Sequence, residues 1–301
     1  MTLQGGARAA LSRRGAHLVL ASVVVAWAGA FAAIKHLLDA GVAAPEIALG
    51  RCALAAPGFI IALRYSGGLP GITRRDMVRI IVAGVLLITV YHVALNEGEL
   101  RTTSGTAAVI VGTAPGMTLG LALLLGLEVF SGRRAAGLAI AFVGVVVVVT
   151  LGAGQSVSLD NAKGPLLVLL APISFAAYNV MAKPLLTRHS PIAVSSAATL
   201  AGTVALLPFI RGSWVGDARH MSAFDWLLVV YLGLICTLFA YIAWTLALDH
   251  LDASRAVAYL YGVPPLAVVI GALTLGEDVT AWLAAGAALV IAGVALAQVR
   301  R

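Results

Sequence analysis

Charged residues are scarce in this sequence of 301 residues: together they make up 11% of it, whereas 61% is hydrophobic and the mean hydropathy is +1.00. Soluble domains carry about a quarter charged residues, so this composition excludes an ordinary water-soluble fold. The few charges cluster in short connectors, which leaves long uncharged runs between them. Because lipid is the natural solvent for such runs, we expect the chain to lie in a bilayer.

Cysteine is nearly absent, and familiar enzyme motifs are missing. Cys52 and Cys236 lie inside apolar runs without a paired spacing, which argues against a disulfide or a metal site. The sequence has no HExxH, GxSxG or GxxxxGK[ST] pattern and no Cys/His cluster with metal-ligand spacing. The net charge of +7 comes without a basic block long enough to track phosphates. We therefore expect no enzyme activity, no metal, no cofactor and no nucleic-acid partner.

Apolar runs of about 20 residues, separated by charged or Gly/Pro-rich breaks, predict an all-α membrane protein with ten transmembrane helices. Fourteen Lys and Arg residues lie in connectors on the side of the N-terminus and five on the opposite side, while Arg51 lies inside the second run. The positive-inside rule then predicts a multi-pass protein of the inner (plasma) membrane with cytoplasmic N- and C-termini. The predicted helices cover residues 16–38, 46–64, 76–97, 102–125, 133–152, 163–186, 191–210, 224–248, 253–275 and 280–299.

Several residues recur 149 positions later along the chain. Each copy contains five predicted helices, an odd number, so the second copy must enter the membrane from the opposite face. Inverted repeats of this kind indicate a transporter that alternates access to a site at mid-membrane between the halves. We place the first five-helix repeat at residues 1–152 and the second at residues 153–301. The recurring pairs are Ala107 with Ala256, Pro115 with Pro264, Glu128 with Glu277, Gly137 with Gly286 and Gly144 with Gly293, while Lys35 matches Lys183 at a spacing of 148.

The end of each repeat resembles the drug/metabolite transporter (DMT) superfamily, specifically its ten-helix EamA-like members. The resemblance extends from about residue 16 to residue 299 and implies export of small metabolites, most of all amino acids, as in the aromatic amino acid exporters. A proton-coupled multidrug or metabolite exporter, an intramembrane enzyme acting on lipid head groups and a membrane sensor or scaffold are the alternatives. The residues that carry the resemblance are Pro115, Leu127, Glu128, Gly137, Gly144 and Val145, and in the second copy Pro264, Gly276, Glu277, Gly286, Gly293 and Val294.

Polar and aromatic side chains within the predicted helices are the candidates for a substrate site. His92 lies well inside the third helix, where an ionisable group usually faces a cavity or a partner. Aromatic rings with polar tips suit a pocket for a flat, partly apolar small molecule. Ordinary packing between helices is the alternative for each of them. The predicted substrate-binding residues are Trp27, Tyr91, His92, Asn96, Tyr178, Asn179, Tyr241, Trp244, Tyr259 and Tyr261.

Proline interrupts the fourth and ninth predicted helices at matching places, and a bend there would let each half gate the site, the alternative being a static kink. These gating candidates are Pro115, Pro264 and Pro265. None of the 13 acidic residues lies at the centre of a predicted helix, so we expect a solute that runs down its own gradient unless His92 titrates. Glu128 and Glu277 are expected to cap the helix that follows each of them. The expected partners are a small-molecule substrate and the lipid bilayer, with the chain a monomer or a weak homo-oligomer.

Overall fold

The computed structural model describes residues 13–152, 159–209, 219–248 and 259–298, and in this part of the chain the secondary structure is helical without strands. The predicted all-α fold is confirmed. Nine of the described helices are long and apolar enough to cross a membrane. We number the helices α1 (Arg13–Asp39), α2 (Ala44–Tyr65), α3 (Arg74–Glu99), α4 (Ser104–Leu124), α5 (Gly132–Leu151), α6 (Leu159–Ala182), α7 (Pro191–Leu206), α8 (Ala223–Ala247), α9 (Val263–Leu275) and α10 (Ala281–Gln298).

The helix α9 is the shorter, tenth apolar helix, and the start of its predicted range, residues 253–258, lies outside the described residues. Most of the connector between the two predicted repeats, residues 153–158, lies outside them as well.

The third helix of each half begins with the same cap. Thr73 accepts a hydrogen bond from the backbone N–H of Asp76 at 3.2 Å, and the Asp76 side chain accepts one in return from the backbone N–H of Thr73. Ser222 and Asp225 form the same reciprocal pair at the start of α8. Such capping boxes satisfy donors that the first helical turn leaves free. Thr73 and Ser222 are 149 positions apart, so the repeat extends to the caps.

An antiparallel contact between α5 and α10 joins the ends of the two repeats. A Cβ atom added to Gly144 would lie 2.7 Å from the Val290 nitrogen and 2.8 Å from the Gly286 oxygen. One added to Gly137 would lie 2.6 Å from the Gly293 oxygen. The two contacts, Gly137 with Gly293 and Gly144 with Gly286, exchange when each residue is replaced by its repeat equivalent. The two helices are therefore related by a two-fold axis, and their backbones touch because glycine has no side chain.

Other helix contacts between the halves also occur in pairs, in which each helix of one contact is replaced by its repeat equivalent in the other. The helix α1 packs against α9, and its equivalent α6 packs against α4. In the same way α1 contacts α8 while α6 contacts α3, and α2 contacts α8 while α7 contacts α3. Each pair maps onto the other when the halves are interchanged. This is the packing expected of two inverted five-helix repeats around a pseudo-two-fold axis.

Irregular backbone also occurs at equivalent places in the two halves. Residues Val85–Val90 of α3 and Tyr231–Phe239 of α8 form π-helical turns. The sequence predicts one continuous fourth helix, but α4 is interrupted between Val111 and Ala114, and α9 likewise begins after a turn at residues 261–262. Pro115, Pro264 and Pro265 occupy the first turn after each interruption. Because the first-turn N–H groups have no helical partner, these prolines remove no hydrogen bond, so the helices are broken rather than kinked.

The contact between α5 and α10 predicts a sharp sensitivity to one methyl group. We expect Gly144→Ala to lower the unfolding temperature of the detergent-solubilised protein, because the added Cβ must separate two backbones, at a cost of about 1–3 kcal/mol. Gly132→Ala is the matched control, since a Cβ at Gly132, on the same helix, meets no atom within 4 Å. Equal unfolding temperatures for the two variants would contradict the close contact.

Candidate functional site

Two aromatic pairs lie at similar positions of the two halves. Trp27 of α1 packs against Tyr241 of α8, with ring centroids 6.3 Å apart, and Phe175 of α6 packs against Tyr91 of α3 at 6.4 Å. Trp27 and Phe175 are separated by 148 positions, the spacing of the two repeat lysines. Tyr91 and Tyr241 are separated by 150 positions, so an aromatic pair lies on each side of the interface between the halves, with the tyrosines one residue away from exact repeat equivalence.

Further rings extend both pairs into one aromatic cluster, which consists of Trp27, Tyr91, Phe175, Tyr178, Tyr241 and Trp244. Trp244 lies 5.6 Å from Trp27, and Tyr178 lies 6.0 Å from Phe175. Tyr178 and Tyr241 pack against one hydrophobic core cluster, which contains Cys52 of α2. The rings of this cluster are partly accessible although they are surrounded by core residues. The structure thus brings together six of the predicted site residues: Trp27, Tyr91, His92, Tyr178, Tyr241 and Trp244.

The π-helical turn of α8 positions the cluster, because a π turn frees backbone carbonyl groups for other partners. The indole Nε1 of Trp27 donates a hydrogen bond to the Cys236 carbonyl at 3.0 Å. In return, the Tyr231 hydroxyl donates to the Ala26 carbonyl at 2.8 Å. These two bonds join α1 to α8 and fix the orientation of the Trp27 ring.

Arg51 is a buried cation next to this cluster. Its side chain is 3% exposed, and its Nε donates a hydrogen bond of 2.9 Å to the Thr237 hydroxyl. In the described part of the chain it forms no ion pair with a carboxylate. Its charge is nonetheless within electrostatic range of Tyr91, of His92 and of the Glu99 carboxyl group, with which it forms no ion pair. A buried charge without an opposite partner is costly, so the position indicates a function rather than a contribution to stability.

One face of α3 carries three buried polar side chains in a row. His92, Asn96 and Glu99 follow one another at spacings of four and three residues, which places them on the same side of a helix. All three are at most 2% exposed. Asn96 donates through Nδ2 to the Ala44 carbonyl at 2.9 Å. Within the described residues, both ring nitrogens of His92, the Asn96 Oδ1 and both carboxyl oxygens of Glu99 have no hydrogen-bond partner.

A carboxylate from the second repeat caps a helix of the first at the end of the bundle that holds Glu99. The Glu277 carboxylate accepts hydrogen bonds from the Ser104 backbone N–H at 2.7 Å, the Ser104 hydroxyl at 2.8 Å and the Gly105 backbone N–H at 3.2 Å. The expectation that Glu277 caps the following helix is therefore wrong, because it caps α4 instead of α10. Glu128, its repeat equivalent, pairs with Arg134 in the first turn of α5 at 3.3 Å.

The remaining predicted residues make contacts outside the aromatic cluster. Asn179 donates to the Thr118 hydroxyl of α4 at 3.4 Å, and the Tyr261 hydroxyl donates to Gln298 of α10 at 2.8 Å. The Tyr259 hydroxyl lies 2.8 Å from His17 Nδ1. Tyr259 also borders an open apolar groove of about 410 Å³ between α1 and α9. These contacts leave the assignment of Asn179, Tyr259 and Tyr261 to a substrate site as a prediction.

The structure adds residues that the sequence reasoning placed elsewhere or passed over. Phe175 could have been found, since it matches Trp27 at the spacing of the repeat lysines. Glu99 could have been found from its position seven residues after His92, on the same helical face. Thr237, the partner of Arg51, carries no signal in the sequence. Across residues 13–152, 159–209, 219–248 and 259–298, no group of three or more His, Cys, Asp or Glu side chains could hold a metal ion.

In a comparison with known proteins, the matching family and the similar proteins are transporters. The model of the EamA-like transporter family matches residues 14–150 and again residues 162–298. An uncharacterized transporter of Archaeoglobus fulgidus is 31% identical over 280 residues, which are 92% of this chain and 96% of that protein. A probable terminal-alkyne amino-acid exporter of Streptantibioticus cattleyicolor is 34% identical over 280 residues, 92% of this chain and 91% of that protein. A crystal structure with 19% identity shares the fold, with a TM-score of 0.63 over 95% of this chain and 96% of that one.

The cap formed by Glu277 predicts a loss of stability on its neutralisation. We expect Glu277→Gln to lower the unfolding temperature in detergent. The substitution removes the negative charge at the N-terminus of α4 and one of the two oxygen acceptors of the cap, which lowers the free energy of unfolding by about 1–2 kcal/mol. Asp278→Asn is the control, since the neighbouring Asp278 is exposed. A shift of the same size in both variants would show that surface charge alone is responsible.

Proposed function

Because the chain belongs to the EamA-like transporter family, we propose that it exports amino acids or closely related metabolites by alternating access. The family membership covers both halves, and the chain is a multi-pass membrane transporter of the DMT type. The observation that carries the finer proposal is the buried Arg51, which forms no ion pair with the described residues and lies beside a partly accessible aromatic cluster.

Arg51 supplies the recognition of a carboxylate. A guanidinium presents its donors in a planar fork that matches a carboxylate, and the pair is strongest where water is excluded. Arg51 lies seven residues from the start of α2, about 10 Å below the end of the helix. His92 lies seven residues before the end of α3 on the same side of the bundle, so the two side chains share a depth. A solute carboxylate at this depth would offset the charge of Arg51, for which residues 13–152, 159–209, 219–248 and 259–298 supply no ion-pair partner.

The aromatic cluster supplies the recognition of the rest of the solute. Trp27, Tyr241 and Trp244 on one side and Tyr91, Phe175 and Tyr178 on the other present flat apolar faces with polar tips. Such a lining suits a small zwitterion with an apolar or aromatic side chain. The relative named as a probable amino-acid exporter, with 34% identity, supports the same class of solute.

The two-fold packing supports alternating access. In an inverted pair of repeats, the contact that closes one side of the membrane has an equivalent that can close the other. One interruption and one π turn occur in each half, and they lack the regular α-helical hydrogen-bond pattern, so they are where each half would bend. We assign the hinge of each gate to the interruptions that precede Pro115 and Pro264, with Pro265 completing the second.

The inner membrane, with both termini in the cytoplasm, is the proposed location. The excess of Lys and Arg in the connectors on the side of the N-terminus supports this orientation. It places the end of the bundle that holds Glu99 at the outer face.

Flux measurements on one arginine test the proposal. Purified protein in liposomes is expected to accelerate the uptake of radiolabelled protein amino acids, with the aromatic ones favoured. Arg51→Gln is expected to reduce this uptake about tenfold or more, because the solute carboxylate loses its charged partner in a dry site.

Arg64→Gln is the matched control, since Arg64 lies in the last turn of the same helix and is exposed. It is expected to transport at the wild-type rate. Absence of amino-acid flux in the wild-type protein would contradict the proposed solute class. Equal flux in Arg51→Gln and the wild type would remove Arg51 from the binding site.

A further inference from the structure

We propose that Glu99 is a proton-binding site that couples solute export to proton entry. The sequence predicts an uncoupled carrier because every acidic residue lies in a connector or at a helix end. The structure extends α3 to Glu99, which is the last residue of the helix. Glu99 is 0% exposed. It is therefore removed from water although it lies at a helix end.

The surroundings of Glu99 favour the neutral, protonated carboxyl group. Neither carboxyl oxygen has a hydrogen-bond partner in the described residues, and an ionised carboxylate without donors is very costly in an apolar site. The nearby Glu277 is held in a cap by three donors and adds negative potential at Glu99. Lys35 points its ammonium at the Glu99 backbone carbonyl, 3.5 Å away, and forms an ion pair of 3.1 Å with Asp39. It is thus engaged away from the Glu99 carboxyl oxygens.

Positively and negatively charged groups near Glu99 are equal in number, but they differ in the ion pairs and hydrogen bonds that they form. On its own helix, Glu97 pairs with Arg101 through an ion pair of 3.1 Å. The groups that act on Glu99 from the other elements packed around it are Lys35 and Asp39 of α1, Arg51 of α2 and Glu277 after α9. A conformational change that exposes the carboxyl group to water, or that moves Lys35 from Asp39 to Glu99, would ionise it.

The face of α3 links this proton site to the solute site. His92 lies at the depth of Arg51, and Asn96 lies between His92 and Glu99 on one side of the helix. All three residues carry polar atoms that have no hydrogen-bond partner in the part of the chain that the structure describes, and together they form a buried polar row from the aromatic cluster to the end of the bundle. Buried ionisable groups of this kind commonly form proton pathways in membrane proteins.

The coupling follows from the charge of the solute. The ammonium group of an amino acid held at Arg51 would lie toward the polar row and favour the ionised form of Glu99, so solute binding releases the proton. By linkage, proton binding weakens solute binding to the same extent. The step forms one O–H bond when Glu99 takes a proton from water on the outer side and breaks it when the proton leaves to the cytoplasm, without oxidation or reduction. The coupling role rests on the proposed function, whereas the protonation of Glu99 does not.

The protonation is measured first, without any solute. Infrared spectra of the full-length protein in lipid at neutral pH are expected to show a protonated carboxyl C=O band that Glu99→Gln removes. Glu97→Gln is the matched control, two residues away on the same helix and partly exposed, and it is expected to keep the band. The proposal would be overturned if the infrared difference spectrum, wild type minus Glu99→Gln, contained the bands of an ionised carboxylate instead.

The coupling is measured next in liposomes, with the membrane potential clamped by valinomycin and equal potassium. An acidic interior is expected to accelerate uptake of the labelled amino acids severalfold in the wild type and in Glu97→Gln, but not in Glu99→Gln. Slower uptake, no effect in the wild type, or acceleration that persists in Glu99→Gln would overturn the coupling. Complete loss of flux in Glu99→Gln would assign Glu99 to solute binding and would overturn the coupling too.

Absence of flux in the wild type would contradict the proposed function and with it the coupling, while the infrared result would still decide the protonation of Glu99.

Discussion

The antiparallel contact between the backbones of α5 and α10 is the constraint on which the rest of the structure depends. Gly137 and Gly144 meet Gly293 and Gly286 so closely that no side chain fits between them. This contact fixes the two-fold relation between the halves, because each glycine pair is the equivalent of the other. The contacts of α1 with α9 and α8 and of α2 with α8 likewise have repeat equivalents, and the two aromatic pairs of the candidate site lie at similar positions in the halves. The symmetry is thus a property of packing and not only of sequence.

Around this frame, the protein keeps groups that a purely stable fold would avoid. Arg51 is buried without a carboxylate partner, and Glu99 is buried without donors in the described part of the chain. Burial of the ionised form of either group costs free energy, and packing elsewhere must offset that cost. The two groups differ in what relieves the cost, since Arg51 needs an anion and Glu99 can take a proton. That difference gives a transporter both a binding site and a means of coupling it to a proton gradient.

The helices, the duplication and the aromatic composition of the site could be predicted from the sequence, because each depends on local hydrophobicity or on residues repeated 149 positions apart. Other features depend on partners that are distant in the chain. The π turn of α8 is joined to Trp27, and the Glu277 carboxylate finds the N-terminus of α4 only because the second repeat is inverted. The burial of Glu99 escapes a hydropathy argument, since a charged helix end looks the same in sequence whether water or another helix lies beside it. The interruption of α4 was predicted as a kink because proline alone does not distinguish a bend from a new first turn.

Sidedness labelling at two equivalent positions tests the inverted architecture most directly. Val129 and Asp278 are 149 positions apart, and both are exposed in short connectors. Each is changed to cysteine in a protein whose buried Cys52 and Cys236 are replaced by alanine, and a membrane-impermeant maleimide is added to intact spheroplasts. The account predicts that Asp278→Cys is labelled at once and that Val129→Cys is labelled only after the membrane is disrupted. Labelling of both cysteines from the same side would contradict it.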